Sequence, residues 1–209
     1  MGVDARLVVY APNKPAAEDA CAAAYERIAQ LDSIMSDYQI NSELNRLCRK
    51  AGQGPVHVSP DLFNVLQEAI TIARRSDGMK DPTVGPIVRL WRKARKTQII
   101  PSPHQIRAAR KLVGWRKVKL DAKSQTVSLA VPGMQLDLGG IGKGYADDAA
   151  QGVLKHHGIS QALVEMGGDI VVSNPPPGEK GWTIQVPNAT DKHGAPILRF
   201  ANCAISSSG

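Results

Sequence analysis

The sequence predicts an α+β fold, on three observations. Period-two alternation and period-3.6 apolar stripes both recur along the 209 residues, so strands and helices are both expected. They follow one another in no regular βαβ order, which argues against a doubly wound parallel sheet. A short apolar run, Leu136-Asp137-Leu138, also leads into a loop with four glycines in six positions (Gly139, Gly140, Gly142 and Gly144). A helical stripe of Ala146, Ala149, Ala150, Val153 and Leu154 follows at once. No internal repeat, low-complexity linker or clear boundary divides the chain, so residues 1–209 read as a single domain.

Composition narrows the class. With 43% hydrophobic, 22% charged and 4% aromatic residues, the chain can bury a real core and reads as a soluble globular protein. No apolar run approaches membrane-spanning length. The start, Met1-Gly2-Val3-Asp4-Ala5-Arg6-Leu7, lacks the basic end and apolar stretch of a signal peptide; the protein is either cytosolic or numbered from after a removed leader. Cys21, Cys48 and Cys203 are odd in number and far apart, which fits neither a disulfide framework nor a zinc pattern. A formal charge of +7 favours anionic partners.

The elements follow in order. Val3, Ala5, Leu7 and Val9 alternate with polar residues as a first, half-buried strand. Pro15 opens a helix with Ala17, Ala20, Cys21, Ala24, Ile28, Leu31 and Met35 on one face. In the polar stretch that follows, Asn41 or Ser42 can cap a short helix, and Tyr38 offers a ring to an aromatic ligand. Ser59-Pro60 is an N-cap and first-turn pair for a helix that Gly78 stops. Next comes Gly78-Met79-Lys80-Asp81-Pro82-Thr83-Val84-Gly85-Pro86, an ordered turn. Its carboxylate and hydroxyl can hold a ribose or phosphate, or simply cap the next helix.

Arg89 to Lys96 is the most basic patch, with Trp91 inside it. A solvated helix face fits this short, unrepeated run better than a nucleic-acid surface does. Ser102 and Gln105 form a capping box. Val118 and Leu120, then Val127, Leu129 and Val131, make a β-hairpin about Asp121-Ala122-Lys123-Ser124. After the glycine loop and its helix, residues 162–172 read as strand, Gly167-Gly168 break, strand. Trp182, Ile184 and Val186 form another strand, and a last one is expected from Ile197 to Gly209.

The glycine loop is the strongest candidate for chemistry. Bare backbone N–H groups at a helix start, with the positive end of the helix dipole, form an anion site, and Lys143 adds a point charge. It is neither a P-loop nor a dinucleotide fingerprint: Gly144 follows Lys143 where Ser or Thr is required, and Tyr145 and Asp147 fall where a third glycine is required. A tight strand-to-helix turn explains the same residues.

Several stations in register resemble the ApbE family, the bacterial FAD:protein FMN transferases once named thiamine biosynthesis lipoproteins. They are Met35-Ser36-Asp37-Tyr38 with Ser42-Glu43-Leu44, Asp81-Pro82-Thr83-Val84-Gly85-Pro86 with Trp91, Leu136 to Tyr145 with Asp148, Gly167-Gly168-Asp169, and Ser207-Ser208-Gly209. The resemblance implies an ApbE-like α+β fold and a Mg²⁺-dependent enzyme that transfers FMN from FAD to a Thr or Ser hydroxyl of an acceptor protein, releasing AMP. It implies flavin contacts from Met1, Tyr38, Met79, Lys80, Asp81, Gly139 and Tyr145, and a backbone carbonyl from Gly142 to the metal. Lys80 stands where the family usually has Phe, and Gly142 where it often has Ala. The family's C-terminal part, with its His and the Asp and Thr that complete the metal site, is expected beyond Gly209. Catalytic residues are therefore not assigned. The resemblance also implies an acceptor such as a subunit of a flavinylated membrane redox complex, no nucleic acid, and a place on the periplasmic side of the bacterial envelope, with anchoring through an N-terminal leader. The alternative is an FAD- or nucleotide-binding module without transferase activity at this chain length.

Overall fold

The computed structural model describes residues 2–185 and 197–207. The expected contacts of Met1, the strand position of Val186 and the final Ser208-Gly209 lie outside the described residues. The fold is α+β, and the chain divides into two compact units, Leu31–Gly142 (with Met1) and Gly2–Gln30 with Lys143–Gly209.

In the second unit, strand β1 (Ala5–Tyr10) is followed by helix α1 (Lys14–Met35), which runs on past the division at Gln30. Asn13 caps α1, its side-chain oxygen accepting the Ala16 N–H at 2.9 Å. β1 pairs antiparallel with β5 (Gln161–Met166), β5 with β6 (Asp169–Val172), and β6 with β9 (Cys203–Ser206). The β5–β6 connection is the expected glycine break: Gly167 and Gly168 have φ of 52° and 92°, the left-handed pair a two-residue hairpin turn demands.

Both faces of β5 are covered, which explains its nearly continuous apolar run. Ala162 and Val164 pack on Ala20 and Ala24 of α1 and on Ala150 and Leu154 of helix α6 (Gly142–His156). Leu163 on the opposite face packs with Trp182 and Ile184 of β7 (Trp182–Gln185), which pairs with β8 (Ile197–Phe200). The single final strand expected from Ile197 to Gly209 is two strands. Asn202 takes a left-handed φ of 50° and its N–H donates to the Ser173 carbonyl at 3.1 Å. β8 and β9 therefore serve different sheets.

The first unit holds helices α2 (Glu43–Arg49), α3 (Pro60–Arg75), α4 (Gly85–Thr97) and α5 (Pro103–Leu112). A three-stranded antiparallel sheet joins them, in the order β2 (Val56–His57), β4 (Thr126–Leu129), β3 (Val118–Asp121). Ser42 caps α2, Ser59 caps α3, and Ser102 with Gln105 forms the reciprocal capping box of α5. Glu43 links two of these starts: it accepts the Ser59 N–H and the Ser59 hydroxyl, both at 2.6 Å.

The run before the glycine loop is not a strand. The Asp137 N–H donates to the Pro82 carbonyl at 2.8 Å, and the Leu136 N–H to Cys48 Sγ at 3.3 Å, so neither amide joins a ladder. Buried Leu136 and Leu138 anchor the run in the core. Its neighbour is the start of α4, where a Cβ on Gly85 would meet the Gln135 carbonyl oxygen at 2.7 Å.

Two glycine substitutions separate close approach from helix propensity. Gly85→Ala forces backbone against backbone and should destabilise by about 1–3 kcal/mol. Gly152→Ala, mid-helix in α6 with open space about its Cβ position, should stabilise by about 0.5–1 kcal/mol. Urea unfolding of each variant checks both signs.

Candidate functional site

The turn 79–86 and the glycine loop are brought together by the Asp137–Pro82 hydrogen bond and the Gly85–Gln135 approach. Between them lies a cavity of ≈ 360 Å³ lined by Met79, Lys80, Asp81, Asp137 and Gly140, with Ala69 and Ile72 of α3 behind. That size suits part of a small-molecule ligand. Of the expected flavin contacts, the structure thus places Met79, Lys80 and Asp81 on one cavity, whose wall also includes Gly140, the residue after Gly139. Met79 is 91% exposed, so its side chain stands at the rim.

Asp81 and Thr83 do not present free polar groups to this cavity. Asp81 Oδ1 accepts the Thr83 N–H at 2.8 Å and its hydroxyl at 2.6 Å, while Oδ2 accepts the Trp115 N–H at 3.0 Å. The Thr83 hydroxyl oxygen in turn accepts the Gly114 N–H at 2.7 Å. The expected capping use is not seen, since α4 has no side-chain cap; the two groups fasten the turn to Gly114 and Trp115 instead.

The cation at the glycine loop is not the one expected. Lys143 donates to the Gly167 carbonyl at 2.9 Å and pairs with Asp169 Oδ2 at 3.1 Å, so it is committed within its own unit. Lys80 instead reaches the loop: its Nζ lies 3.9 Å from where a Cβ on Gly140 would stand. Lys80 is thus the lysine that the structure brings to Gly140.

Tyr38 borders a second cavity, of ≈ 510 Å³, with Asp37, Asn45, Cys48, Arg89 and Gln135 in its wall. Its loop is held by buried Asn45, whose amide donates to the carbonyls of Gln39 at 2.8 Å, Asp37 at 3.2 Å and Ser36 at 3.4 Å. Arg89 Nη2 donates to Asn45 Oδ1 at 2.9 Å. One turn on, Arg92 pairs with Asp37 through Nη1 and with Asp137 through Nη2 at 3.2 Å, and its guanidinium lies 4.3 Å over the Tyr38 ring. The basic stretch of α4 is therefore not wholly a solvated face: two of its arginines hold the Tyr38 loop. Sequence reading missed Asn45, Arg89 and Arg92. The available signal was the i, i+3 spacing of the two arginines, one helical turn apart on one face.

Tyr145 lies in the other unit, on α6, half-buried. Near it the structure shows a residue the sequence did not single out. Asp147 is fully buried, and neither carboxylate oxygen has a hydrogen-bond partner among the described residues. Burial, then the negative charges of Asp169 and Asp148, pushes its carboxyl up to about 8 against the opposing pull of Lys143. Burial also raises Asp148.

The Mg²⁺ that the resemblance implies can be tested against the donors present. Among the described residues no group of three His, Cys, Asp or Glu side chains is placed to hold a metal ion. The Gly142 carbonyl alone cannot supply the six oxygens of an octahedral Mg²⁺ site. The residues present do not fit the metal, and no step is derived through it.

Asp147 gives a pH prediction. A folded-state carboxyl near 8 against the unperturbed 3.8 means the native state holds the extra proton in between. The stability this carboxyl contributes is complete below the unfolded value and is lost as pH rises through the folded one. Thermal melts from pH 5 to 9 should show Tm falling with pH, and Asp147→Asn should flatten that slope and melt above the parent at pH 9.

The model of the family described as the ApbE family matches residues 1–209. The FAD:protein FMN transferase of Chlamydia muridarum is 32% identical over 179 residues, which is 86% of this chain and 55% of that protein. That of Treponema pallidum is 30% identical over 226 residues, 100% of this chain and 62% of that protein. The solved flavin transferase ApbE of Vibrio cholerae matches with a TM-score of 0.89 at 25% identity, covering 100% of this chain and 69% of that one. The chain spans about half the length of the curated relatives it matches, 55% in the first case. With its motif stations in register and its α+β architecture shared with solved relatives, the chain belongs to the ApbE family.

Proposed function

We propose that the protein serves in flavin transfer: it binds FAD and, in the complete enzyme, FMN passes to a Thr or Ser hydroxyl of an acceptor protein. The hydroxyl oxygen attacks the phosphorus carrying the riboflavin moiety, the bond to the bridging oxygen breaks, AMP departs with that oxygen, and the hydroxyl proton leaves to a base. The observation that carries the reading is the single cavity between the turn 79–86 and the glycine loop, two family motifs 55 residues apart in sequence. Mg²⁺ dependence, a membrane redox-complex subunit as acceptor and a periplasmic location belong to the same proposal. Among the described residues no helix is long and apolar enough to cross a membrane.

Within that reading this chain's residues bind and orient. Backbone N–H groups of the glycine loop and the Lys80 ammonium suit the pyrophosphate, while Ala69, Ile72 and Val84 give the cavity its apolar wall. Tyr38 offers a stacking surface. The lack of a metal donor set among the described residues favours a second reading for this length of chain, an FAD-binding module that does not itself turn over.

Incubation with FAD, Mg²⁺ and a candidate acceptor, followed by mass spectrometry of the acceptor, separates the readings. An FMN adduct supports the transferase; FAD binding with no adduct supports the module; no binding of FAD at all sinks both. Lys80→Ala should weaken FAD binding by about two- to fivefold at low salt, and the difference should shrink as salt is raised. Fluorescence titration at two ionic strengths checks it.

A further inference from the structure

We propose that Arg92 is a positioning residue for the flavin, holding the stacking ring and the glycine loop in register through one guanidinium. The inference rests on the FAD-binding reading above and adds to it a residue that no family motif singles out.

The geometry is a fork with three contacts. Nη1 meets Asp37, the residue before Tyr38; Nη2 meets Asp137 at 3.2 Å; and the guanidinium plane lies 4.3 Å from the Tyr38 ring centre. Asp137 Oδ1 accepts the Gly139 N–H at 2.8 Å, so the ion pair continues into the glycine loop. One planar group thus reaches both the ring and the loop, 101 residues apart from Tyr38 to Gly139.

The energetics favour a coupled element over an incidental surface pair. The side chains of Asp37 and Asp137 are 11% and 12% exposed, so each carboxylate has lost most of its water and needs the cation. Removing the guanidinium leaves two poorly hydrated negative charges that had shared one partner. Without the guanidinium Asp137 is free to turn outward, which disturbs its hold on Gly139. Tyr38 is 66% exposed with Arg92 over its ring, so ring surface remains for a planar ligand. Lysine cannot copy this arrangement, because an ammonium has no planar fork to span two carboxylates while lying over a ring.

The test is a double-mutant cycle on FAD affinity using this chain, read by flavin fluorescence, with Tm measured alongside. Arg92→Ala should weaken FAD about tenfold or more, since it removes charge-assisted contacts. Arg92→Lys should recover only part of that loss. In the Tyr38→Ala background, the Arg92→Ala penalty should shrink clearly, because the two residues act on one ligand surface. Equal affinity of Arg92→Ala and the parent overturns the proposal, as does full recovery by Arg92→Lys or strict additivity in the cycle. A fall in Tm with unchanged FAD affinity also overturns it, marking Arg92 as structural alone. If the parent itself does not bind FAD, the functional reading fails, and this inference falls with it.

Discussion

The candidate site depends on one backbone contact. The Asp137 N–H donates to the Pro82 carbonyl, and Gly85 lets the chain at Gln135 come within a distance that any side chain would forbid. An amide in this run must find an acceptor, and among the described residues the run pairs with no strand. Pairing with a proline turn meets that need and brings two loops from distant parts of the sequence into one wall. Lys80 then lies over Gly140, and Asp137 faces the cavity that Met79 borders. Without that register the turn and the glycine loop would be two unrelated surface features.

Most polar residues in the recognisable motifs hold the protein together. Ser42 caps a helix, Glu43 binds the cap of the next, and Asp81 and Thr83 fasten their turn to Gly114 and Trp115. Their hydrogen bonds are internal, so they shape the surface that the cavity presents. What remains open to a ligand is backbone at the glycines, the apolar wall and a few cations. Such a surface fits a molecule recognised by its phosphates and its flat rings.

Local patterns made much of the fold legible. Capping residues, glycine stops, the β3–β4 hairpin and the β5–β6 turn follow from spacing, because each is decided within a few residues. Where partners lie far away in sequence, the reading ran out. The run at Leu136 looks like a strand until its hydrogen bonds are traced to Pro82 and Cys48. Residues 197–207 read as one strand until Asn202 turns the chain into a second sheet. Arg89 and Arg92 look like solvated charge because Asn45, Asp37 and Asp137 lie 44, 55 and 45 positions away. Resemblance to a family named candidate stations, but not which of their side chains are engaged internally.

The two aspartates near the start of α6 show why the expected cation was wrong. Asp137 has a guanidinium and an amide for its two oxygens. Asp147, ten residues on, has no hydrogen-bond partner for either among the described residues, and its raised pKa of about 8 keeps it protonated at neutral pH. If Asp147 were charged, it and Asp169 would both draw on Lys143. Neutral Asp147 leaves Lys143 matched one to one with Asp169, and the Ser206 hydroxyl donates to the other oxygen of that carboxylate at 2.6 Å. That arrangement keeps Lys143 tied to its own sheet and unavailable as a phosphate ligand. The charge at the glycine loop must then come from elsewhere, and Lys80 is the lysine whose ammonium reaches it. Lys80 thus meets Gly140 within one unit, while Lys143 is matched with Asp169 within the other.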